Sequence, residues 1–260
     1  MRLIDTHCHL PHGRLRQQLP GVLERAREAG LCHIVCATSA VDEAIGARNI
    51  ARAEPDVTFT VGTHPHYAKD FTDDLLTQTR DLLADEHCVA LGEIGLDYHY
   101  DFSPPEAQQS AFEAQLALAK ELACPIVIHT REAFDDTLAM IRNSEVDTSR
   151  VIFHSFTEDE GPTRQVLDLG AMISYSGIAT FKRTDSLREA AKLVPDDRIL
   201  IETDAPFLSP EPVRKMHPNE PANVAHVATC LASVRGTTPD AFAELTTQNA
   251  IRAFALDIAT

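Results

Sequence analysis

The feature that most constrains the fold is a regular alternation of short apolar runs with longer amphipathic segments along all 260 residues. The apolar runs are rich in β-branched residues and are bounded by polar or turn-forming residues, which predicts strands. The longer segments carry apolar residues three or four positions apart, as Phe112, Leu116 and Ala119 do, which predicts helices. The eight predicted strands are Arg2–Thr6, Leu31–Ala37, Val57–Gly62, Cys88–Glu93, Pro125–His129, Arg150–His154, Ala171–Tyr175 and Arg198–Glu202.

This alternation predicts βαβ units and a mainly parallel sheet. Eight such units in a chain of this length favour an α/β fold of the closed (β/α)8 TIM barrel type over an open sheet. Two further helices, about Pro221–Val234 and Pro239–Leu256, follow the last strand. Since no linker, composition shift or repeat interrupts the pattern, we expect a single domain over residues 1–260.

Composition narrows the classes of function. The chain has 23 basic and 39 acidic residues, a net charge of −16, which argues against a broad nucleic-acid groove built on positive charge. It has no Trp and only 6% aromatic residues, which argues against an extended base-stacking platform. Six scattered cysteines without a Cys-x-x-Cys pair indicate reduced thiols. With neither a membrane-spanning apolar run nor a secretory signal, we expect a soluble, cytoplasmic monomer without an obligate protein partner.

Histidines and carboxylates stand at the carboxyl ends of five predicted strands. They are His7, His9, Glu93, His129, His154 and Asp204. In a barrel these strand ends meet at one mouth, where the active sites of this fold lie. One strand-end histidine is usually structural, but five strands that supply only metal-binding side chains to one rim are not expected by chance. The set therefore predicts a metal centre.

The ligand set predicts two metal ions. Four imidazoles and two carboxylates exceed what one tetrahedral ion needs, and they suit two divalent ions, with Zn²⁺ first and Mg²⁺ or Mn²⁺ as alternatives. Two such ions would bring four positive charges against the two negative charges of Glu93 and Asp204, so the site would attract a phosphate. Because the metals would also lower the pKa of bound water, the interpretation is a hydrolase in which a metal-activated hydroxide attacks.

Several motifs resemble those of the TatD family of metal-dependent hydrolases, from residue 4 to about residue 254. They are Asp5-Thr6-His7-Cys8-His9-Leu10, Gly62-Thr63-His64-Pro65-His66, Gly92-Glu93-Ile94-Gly95-Leu96-Asp97, Ile128-His129-Thr130-Arg131, Glu202-Thr203-Asp204-Ala205-Pro206, Asn219-Glu220-Pro221-Ala222 and Thr246-Thr247-Gln248-Asn249-Ala250. The third and fifth motifs, in this order and spacing, are the most specific. The first alone is shared with the wider amidohydrolase group.

The resemblance implies a (β/α)8 barrel, two metals and cleavage of phosphodiester bonds in DNA. In the family pattern His7, His9 and Asp204 would hold one metal, His129 and His154 the second, and Glu93 would bridge them. Asp204 would also orient or deprotonate the attacking water, which makes Asp204 and Glu93 the predicted catalytic residues. The predicted substrate contacts are His64, His66, Arg131, Glu202, Arg214 and Lys215.

Substrate preference stays open at this point. Arg214-Lys215-Met216 lacks the glycine common in the family, Asn223 stands where an aromatic is common, and an acidic run follows His154. The leading interpretation is a 3′–5′ deoxyribonuclease acting on the ends of single or frayed DNA strands. The same metals would also serve a D-aminoacyl-tRNA deacylase or a small-molecule amidohydrolase. A non-catalytic metal-binding scaffold is a third class, against which the complete set of six ligands argues.

Overall fold

A computed structural model describes residues 1–258, and in these residues eight strands alternate with helices. The strands are β1 (Leu3–Cys8), β2 (Leu31–Cys36), β3 (Val57–Val61), β4 (Cys88–Asp97), β5 (Ile126–Arg131), β6 (Val151–Phe153), β7 (Met172–Tyr175) and β8 (Ile199–Ile201). The helices are α1 (Gly13–Arg16), α2 (Leu19–Glu28), α3 (Val41–Ala53), α4 (Asp73–Leu83), α5 (Pro105–Leu122), α6 (Phe134–Ser144), α7 (Glu160–Asp168), α8 (Asp185–Leu193), α9 (Val224–Val234) and α10 (Pro239–Phe254). The strands form one sheet in chain order, which confirms the predicted (β/α)8 barrel and its additional C-terminal helices.

Two compact units make up the described chain, and the first comprises Met1–Cys36, His154–Asp168 and residues 172–258. Within it β1 pairs in parallel with β2, and β7 with β8. The first and last strands of the sheet are neighbours, because Cys8 forms a parallel bridge with Ala205 and the N–H of Asp204 donates to the carbonyl of His7 at 2.9 Å. This contact places the segment after β8 beside the end of β1.

The second unit comprises Ala37–Phe153 and Leu169–Ala171, and it contains β3 to β6 in parallel. Apolar side chains such as Phe59, Leu91 and Ile128 are fully buried in its strands. The buried Gln115 of α5 clamps the segment after β3, since its Oε1 accepts from the N–H of Thr63 at 2.7 Å and its Nε2 donates to the Thr63 carbonyl at 3.1 Å. The clamp fixes the backbone that carries the next residue, His64. The single domain predicted over residues 1–260 stays a prediction.

Several element boundaries differ from the sequence prediction. Glu93 was expected at the end of its strand, but β4 continues to Asp97, and His7 lies within β1 rather than after it. Such shifts are common because hydrogen bonding of the last strand residues depends on the neighbouring strand and not on local propensity. The sequence pattern also predicts one helix over residues 14–29, but these residues form two helices, α1 and α2. Pro20 lacks an N–H, so it fits the first turn of α2 but not a helix interior.

No disulfide joins any of the six cysteines, all of which lie within the described residues. In the same part of the chain, no helix combines the length and the apolar character that a membrane crossing needs.

Candidate metal centre

The first unit brings together three of the predicted ligands at the ends of β1 and β8. His7 lies in β1 and His9 just after it, and both are buried, as is most of Asp204. The Oδ1 atom of Asp204 lies 3.4 Å from Nε2 of His9 and 3.8 Å from Nε2 of His7. Their ligand atoms all lie within 4.8 Å of one another, a spacing that suits binding to one ion.

The backbone holds Asp204 in an unusual conformation. Its φ angle is +55°, in the left-handed region that costs free energy for a residue with a Cβ atom. Hydrogen bonds from the N–H of Asp204 to His7 and from the N–H of His9 to Ala205, at 2.9 and 2.7 Å, compensate by tying the two segments together. Burial opposes ionisation of Asp204, but the hydrogen bond from His9 and the charges of the nearby histidines outweigh it and lower its pKa. Asp204 is therefore ionised at neutral pH.

His154 and Glu202 form a second group with His7 in the same unit. The rings of His7 and His154 stack with centroids 4.0 Å apart and planes 11° from parallel. Nδ1 of His154 lies 3.1 Å from Oε1 of Glu202, which also accepts from the N–H of Ser155 at 2.8 Å. The other oxygen, Oε2, is buried and has no hydrogen-bond partner among the described residues. A buried carboxylate oxygen without a donor is costly unless a cation satisfies it, so this group fits a metal.

The second unit has its own group of donors, formed by Glu93 of β4, His129 of β5 and His64 after β3. Oε1 of Glu93 lies 2.8 Å from Nδ1 of His129 and 3.3 Å from Nε2 of His64. Glu93 is 3% exposed, so its carboxylate depends on these neighbours rather than on water for solvation. The group offers imidazole and carboxylate donors of the kind that Zn²⁺ prefers.

The hydrogen bonds of His64 determine which ring nitrogen carries its proton. Nδ1 of His64 accepts the N–H of His66 at 3.1 Å, so the neutral ring carries its proton on Nε2 and donates toward Glu93. Burial lowers the pKa of His64 to about 4, which keeps the ring neutral at pH 7. A neutral ring with its proton on Nε2 has no lone pair there for a metal, which favours the predicted role of His64 as a substrate contact over that of a ligand.

His129 faces a carboxylate with each ring nitrogen. Besides Nδ1 beside Glu93, its Nε2 lies 3.0 Å from Oδ2 of Asp97. A neutral imidazole has one proton and satisfies only one of these carboxylates, whereas a cation at Nδ1 and Glu93 would satisfy the other. Donation of the second nitrogen to a carboxylate is the usual arrangement of a metal-binding histidine. The residues present therefore fit a metal held by His129 and Glu93.

Asp97 lies at the centre of the hydrogen-bond network of this group. Its Oδ2 also lies 2.9 Å from Nε2 of His66, and its Oδ1 accepts the N–H groups of His99 and Tyr100. Burial opposes its ionisation, but the hydrogen bonds from His129 and His66 outweigh that effect and hold the pKa of Asp97 well below its usual range. It is an anion that orients two histidines and the loop after β4.

The other predicted substrate contacts lie in different settings. Arg131 is exposed at the end of β5, with its guanidinium carbon 4.8 Å from the centre of the Tyr100 ring. Arg214 and Lys215 are exposed after β8, and Arg214 stacks on Phe181 at 3.9 Å. Glu202 is 1% exposed and lies against His154, which fits the orientation of a ligand better than contact with a substrate.

Sequence reasoning missed two buried carboxylates. From the sequence, no role was assigned to either Asp97 or Asp5. Both lie on a ligand-bearing strand at even spacing from the ligand, four residues after Glu93 and two before His7, so period-two alternation places them on the same face. Burial raises the pKa of Asp5 to about 8, against the hydrogen bonds that it accepts from Thr203 and His7.

Comparisons with known proteins identify the family and the fold of the chain. A family model described as TatD related DNase matches residues 4–255. The uncharacterized metal-dependent hydrolase YcfH of Escherichia coli (strain K12) is 38% identical over 99% of this chain and 97% of its own length. The 3′-5′ ssDNA/RNA exonuclease TatD of a Rahnella species is 36% identical over 90% of this chain and 91% of its own. The crystal structure of YJJV, a TatD homologue from Escherichia coli, has a TM-score of 0.92 at 27% identity and 98% coverage of both chains.

Proposed function

The chain belongs to the TatD-related DNase family of metal-dependent hydrolases, and from that membership we propose that it removes nucleotides from the 3′ ends of single-stranded DNA with two divalent metals. Membership of this family supports the general reaction class, a metal-dependent hydrolase that acts on ester bonds. DNA as the substrate and the 3′–5′ direction rest on two relatives of 35% and 36% identity that are named 3′-5′ ssDNA/RNA exonucleases, while a relative of 38% identity is named only as a metal-dependent hydrolase.

The observation that carries the proposal is the pairing of imidazole and carboxylate donors in each compact unit. We assign one metal to His7, His9 and Asp204, whose donor atoms lie close together. The assignment of the second metal to His129 and His154, with Glu93 shared between the two metals, follows from the family pattern alone. Zn²⁺ is the first choice because the set is rich in imidazole, while Mg²⁺ or Mn²⁺ remain alternatives. When bound, the two ions supply Lewis acidity and lower the pKa of bound water.

The side chains of the chain itself supply the proton chemistry and the positioning. Asp204 is ionised at neutral pH and accepts a proton from the attacking water or orients it. His64 stays neutral with its proton on Nε2, which faces Glu93 at 3.3 Å. Where Glu93 holds a metal, this N–H would instead be available to a phosphate oxygen or to the leaving oxygen. Oε1 of Glu202 lies 3.1 Å from Nδ1 of His154 and orients that ring. Glu93 fixes the ring of His129.

The loops after the β-strands carry only a few basic side chains, which suits contact with a short stretch of single-stranded DNA. Arg131, Arg214 and Lys215 are assigned to phosphate contacts, and His66 to the rim beside His64. With a net charge of −16 the rest of the surface repels a long polyanion, which favours a strand end over a bound duplex. We further propose that the chain acts as a monomer in the cytoplasm.

The test measures metal content and nuclease activity on one preparation, before and after chelation. The matched variants are Glu93→Ala and Glu121→Ala. Glu121 is an exposed carboxylate of α5 that pairs with Arg80 of α4. About two divalent ions per chain, with cleavage of 3′-labelled single-stranded DNA that is lost on chelation and in Glu93→Ala only, would support the proposal. Two bound ions without cleavage would redirect the search to D-aminoacyl-tRNA and small esters. A chain that binds no metal would overturn the proposal.

A further inference from the structure

The loop after β4 exposes two stacked aromatic rings in a chain with few aromatic residues. Tyr100 and Phe102 are 41% and 53% exposed, with ring centroids 5.3 Å apart and planes 25° from parallel. The guanidinium of Arg131 lies 4.8 Å from the centre of the Tyr100 ring. Flat rings beside an arginine are the elements with which proteins stack single-stranded nucleobases.

The loop is held in place rather than left free. Oδ1 of Asp97 accepts the N–H groups of His99 and Tyr100 at 3.0 and 3.1 Å, which fixes the start of the loop. Nε2 of the buried Gln108 donates to the carbonyls of Asp97 and Ser103, both at 2.8 Å, which fixes its two ends relative to each other. A surface that is already ordered loses little conformational entropy when a ligand stacks on it.

The aromatic pair is continuous with the metal-binding group of its own unit. The ring of His66 meets those of Phe102 and Tyr100 edge-on, with centroids 4.8 and 5.4 Å away. On its other side the same ring lies 4.3 Å from His64, and its Nε2 bonds to Asp97, which in turn holds His129. One side chain therefore separates the exposed rings from the group that contains Glu93.

We propose that Tyr100 and Phe102, with Arg131, form a stacking subsite for one nucleobase of the strand whose phosphodiester is cleaved. This inference rests on the proposed function, and it names the part of the substrate that is recognised besides the phosphate. Stacking needs no positive surface, so it supplies affinity where Asp101 and Glu132 oppose a polyanion. Because every base has a flat face, the subsite selects unpaired nucleotides with little preference for sequence.

The subsite also limits the size of what is bound. Composition argued against an extended stacking platform, and two rings accommodate one base rather than a run of bases. The subsite therefore predicts recognition of a strand terminus by one stacked nucleotide and a phosphate, without a groove that follows the backbone.

A single-tryptophan variant tests the inference by direct binding. Since the chain has no Trp, Phe102→Trp places one fluorophore in the subsite and keeps an aromatic ring there. The metal-loaded variant is titrated with a phosphorothioate-linked oligothymidylate that resists cleavage, and with the same oligonucleotide made abasic at its 3′-terminal positions. We expect quenching by the first and a dissociation constant about 5- to 50-fold weaker for the abasic strand. Equal quenching by both would overturn the inference.

Kinetics provide the second measurement. Tyr100→Ala and Phe102→Ala should raise KM for short single-stranded DNA about 5- to 50-fold, with kcat, metal content and hydrolysis of methyl 4-nitrophenyl phosphate within about twofold. Ile45→Ala, an exposed apolar residue of α3, is the control and should change none of these. Restoration of KM by Phe102→Tyr would support the stacking role, and an unchanged KM in both alanine variants would contradict it.

The two proposals can fail separately. If the tryptophan variant distinguishes base from abasic strand but the wild type cleaves no DNA, the proposed function fails and the base subsite stands. If the wild type cleaves normal and abasic strands equally well, the nuclease stands and the subsite is wrong. If the wild type sediments as a dimer that Tyr100→Ala dissociates, the rings are an interface between copies of this chain and the inference is overturned.

Discussion

The carboxylate of Asp5 accepts two hydrogen bonds from Thr203, from the N–H at 2.9 Å and from Oγ1 at 2.5 Å. The two residues are 198 positions apart and both are fully buried. Asp5 also accepts the N–H of His7, so one carboxylate connects the ligand of β1 to the residue before Asp204. The relative placement of His7 and Asp204 thus depends on a pair that binds no substrate.

Thr203→Val removes one donor from Asp5 and keeps the side-chain volume. Because the buried carboxyl group of Asp5 then has an oxygen without its hydrogen-bond donor, the free energy of unfolding should fall by about 1–3 kcal/mol. Metal affinity at His7, His9 and Asp204 should fall about 10-fold or more. Denaturant unfolding of the apo protein and metal titration check the two effects. In Thr229→Val, where the lost bond is an exposed helical one, both should stay near the wild-type values.

Asp97→Asn tests the carboxylate that orients His66 and His129. An amide accepts weaker hydrogen bonds than a carboxylate and brings an N–H₂ toward one of the ring nitrogens, so the affinity for the second metal should fall about 10- to 100-fold. The readout is the number of ions retained after dialysis against a weak chelator. Asp136→Asn is the control, because its carboxylate accepts from Tyr98 at the same loop and touches no histidine. Two ions retained in Asp97→Asn would disprove this role.

Asp204→Asn keeps the shape of the side chain and removes its charge. If Asp204 both binds a metal and takes the proton of water, kcat should fall by about 10²-fold or more even at saturating metal. Turnover is measured over a series of metal concentrations, so that weakened metal binding is separated from loss of the proton acceptor. Activity within about threefold of wild type at saturation would remove Asp204 from the catalytic residues.

Acid should weaken a partly exposed ion-pair network between α3 and the loop before β4. Burial opposes ionisation of Asp85, but hydrogen bonds from His87 and Arg52 outweigh it and lower its pKa. A carboxyl group with a lowered pKa in the folded state stabilises the fold above its ordinary pKa and loses that contribution as the pH falls through the folded value. Asp85→Asn should cost about 1 kcal/mol at pH 7, and the difference from wild type should shrink below about pH 4. Asp81→Asn, at an exposed position of α4, is the control and should leave the free energy of unfolding at pH 7 within about 0.5 kcal/mol of wild type.

Removal of the metals should lower thermal stability. An ion that binds only the folded chain adds about 2.7 kcal/mol at a free concentration 100 times its dissociation constant. Calorimetry before and after chelation should therefore show a lower midpoint, which returns when Zn²⁺ is added back. The same treatment of Glu93→Ala should give a smaller shift, and an equal shift in both proteins would argue against Glu93 as a ligand.

The sequence by itself determined the fold and predicted the residues of the candidate metal centre. Alternating strands and helices leave few topologies other than a parallel barrel, and carboxyl ends of parallel strands lie on one side of a sheet. His7, His129 and Asp204 could therefore be selected as metal ligands before any distance was known. The fold prediction is confirmed, and the assignment of ligands to two metals stays a prediction.

Only the tertiary structure decided how those side chains are held. That Asp5 meets Thr203, that Asp97 faces His129 and that His64 carries its proton on Nε2 all depend on hydrogen bonds set by how the strands and loops pack. Local pattern encodes which face of a strand a residue occupies, but not which partner its polar atoms meet across the sheet. Exposure of Tyr100 and Phe102 has the same origin, because the loop that presents them is fixed by Gln108 of the following helix.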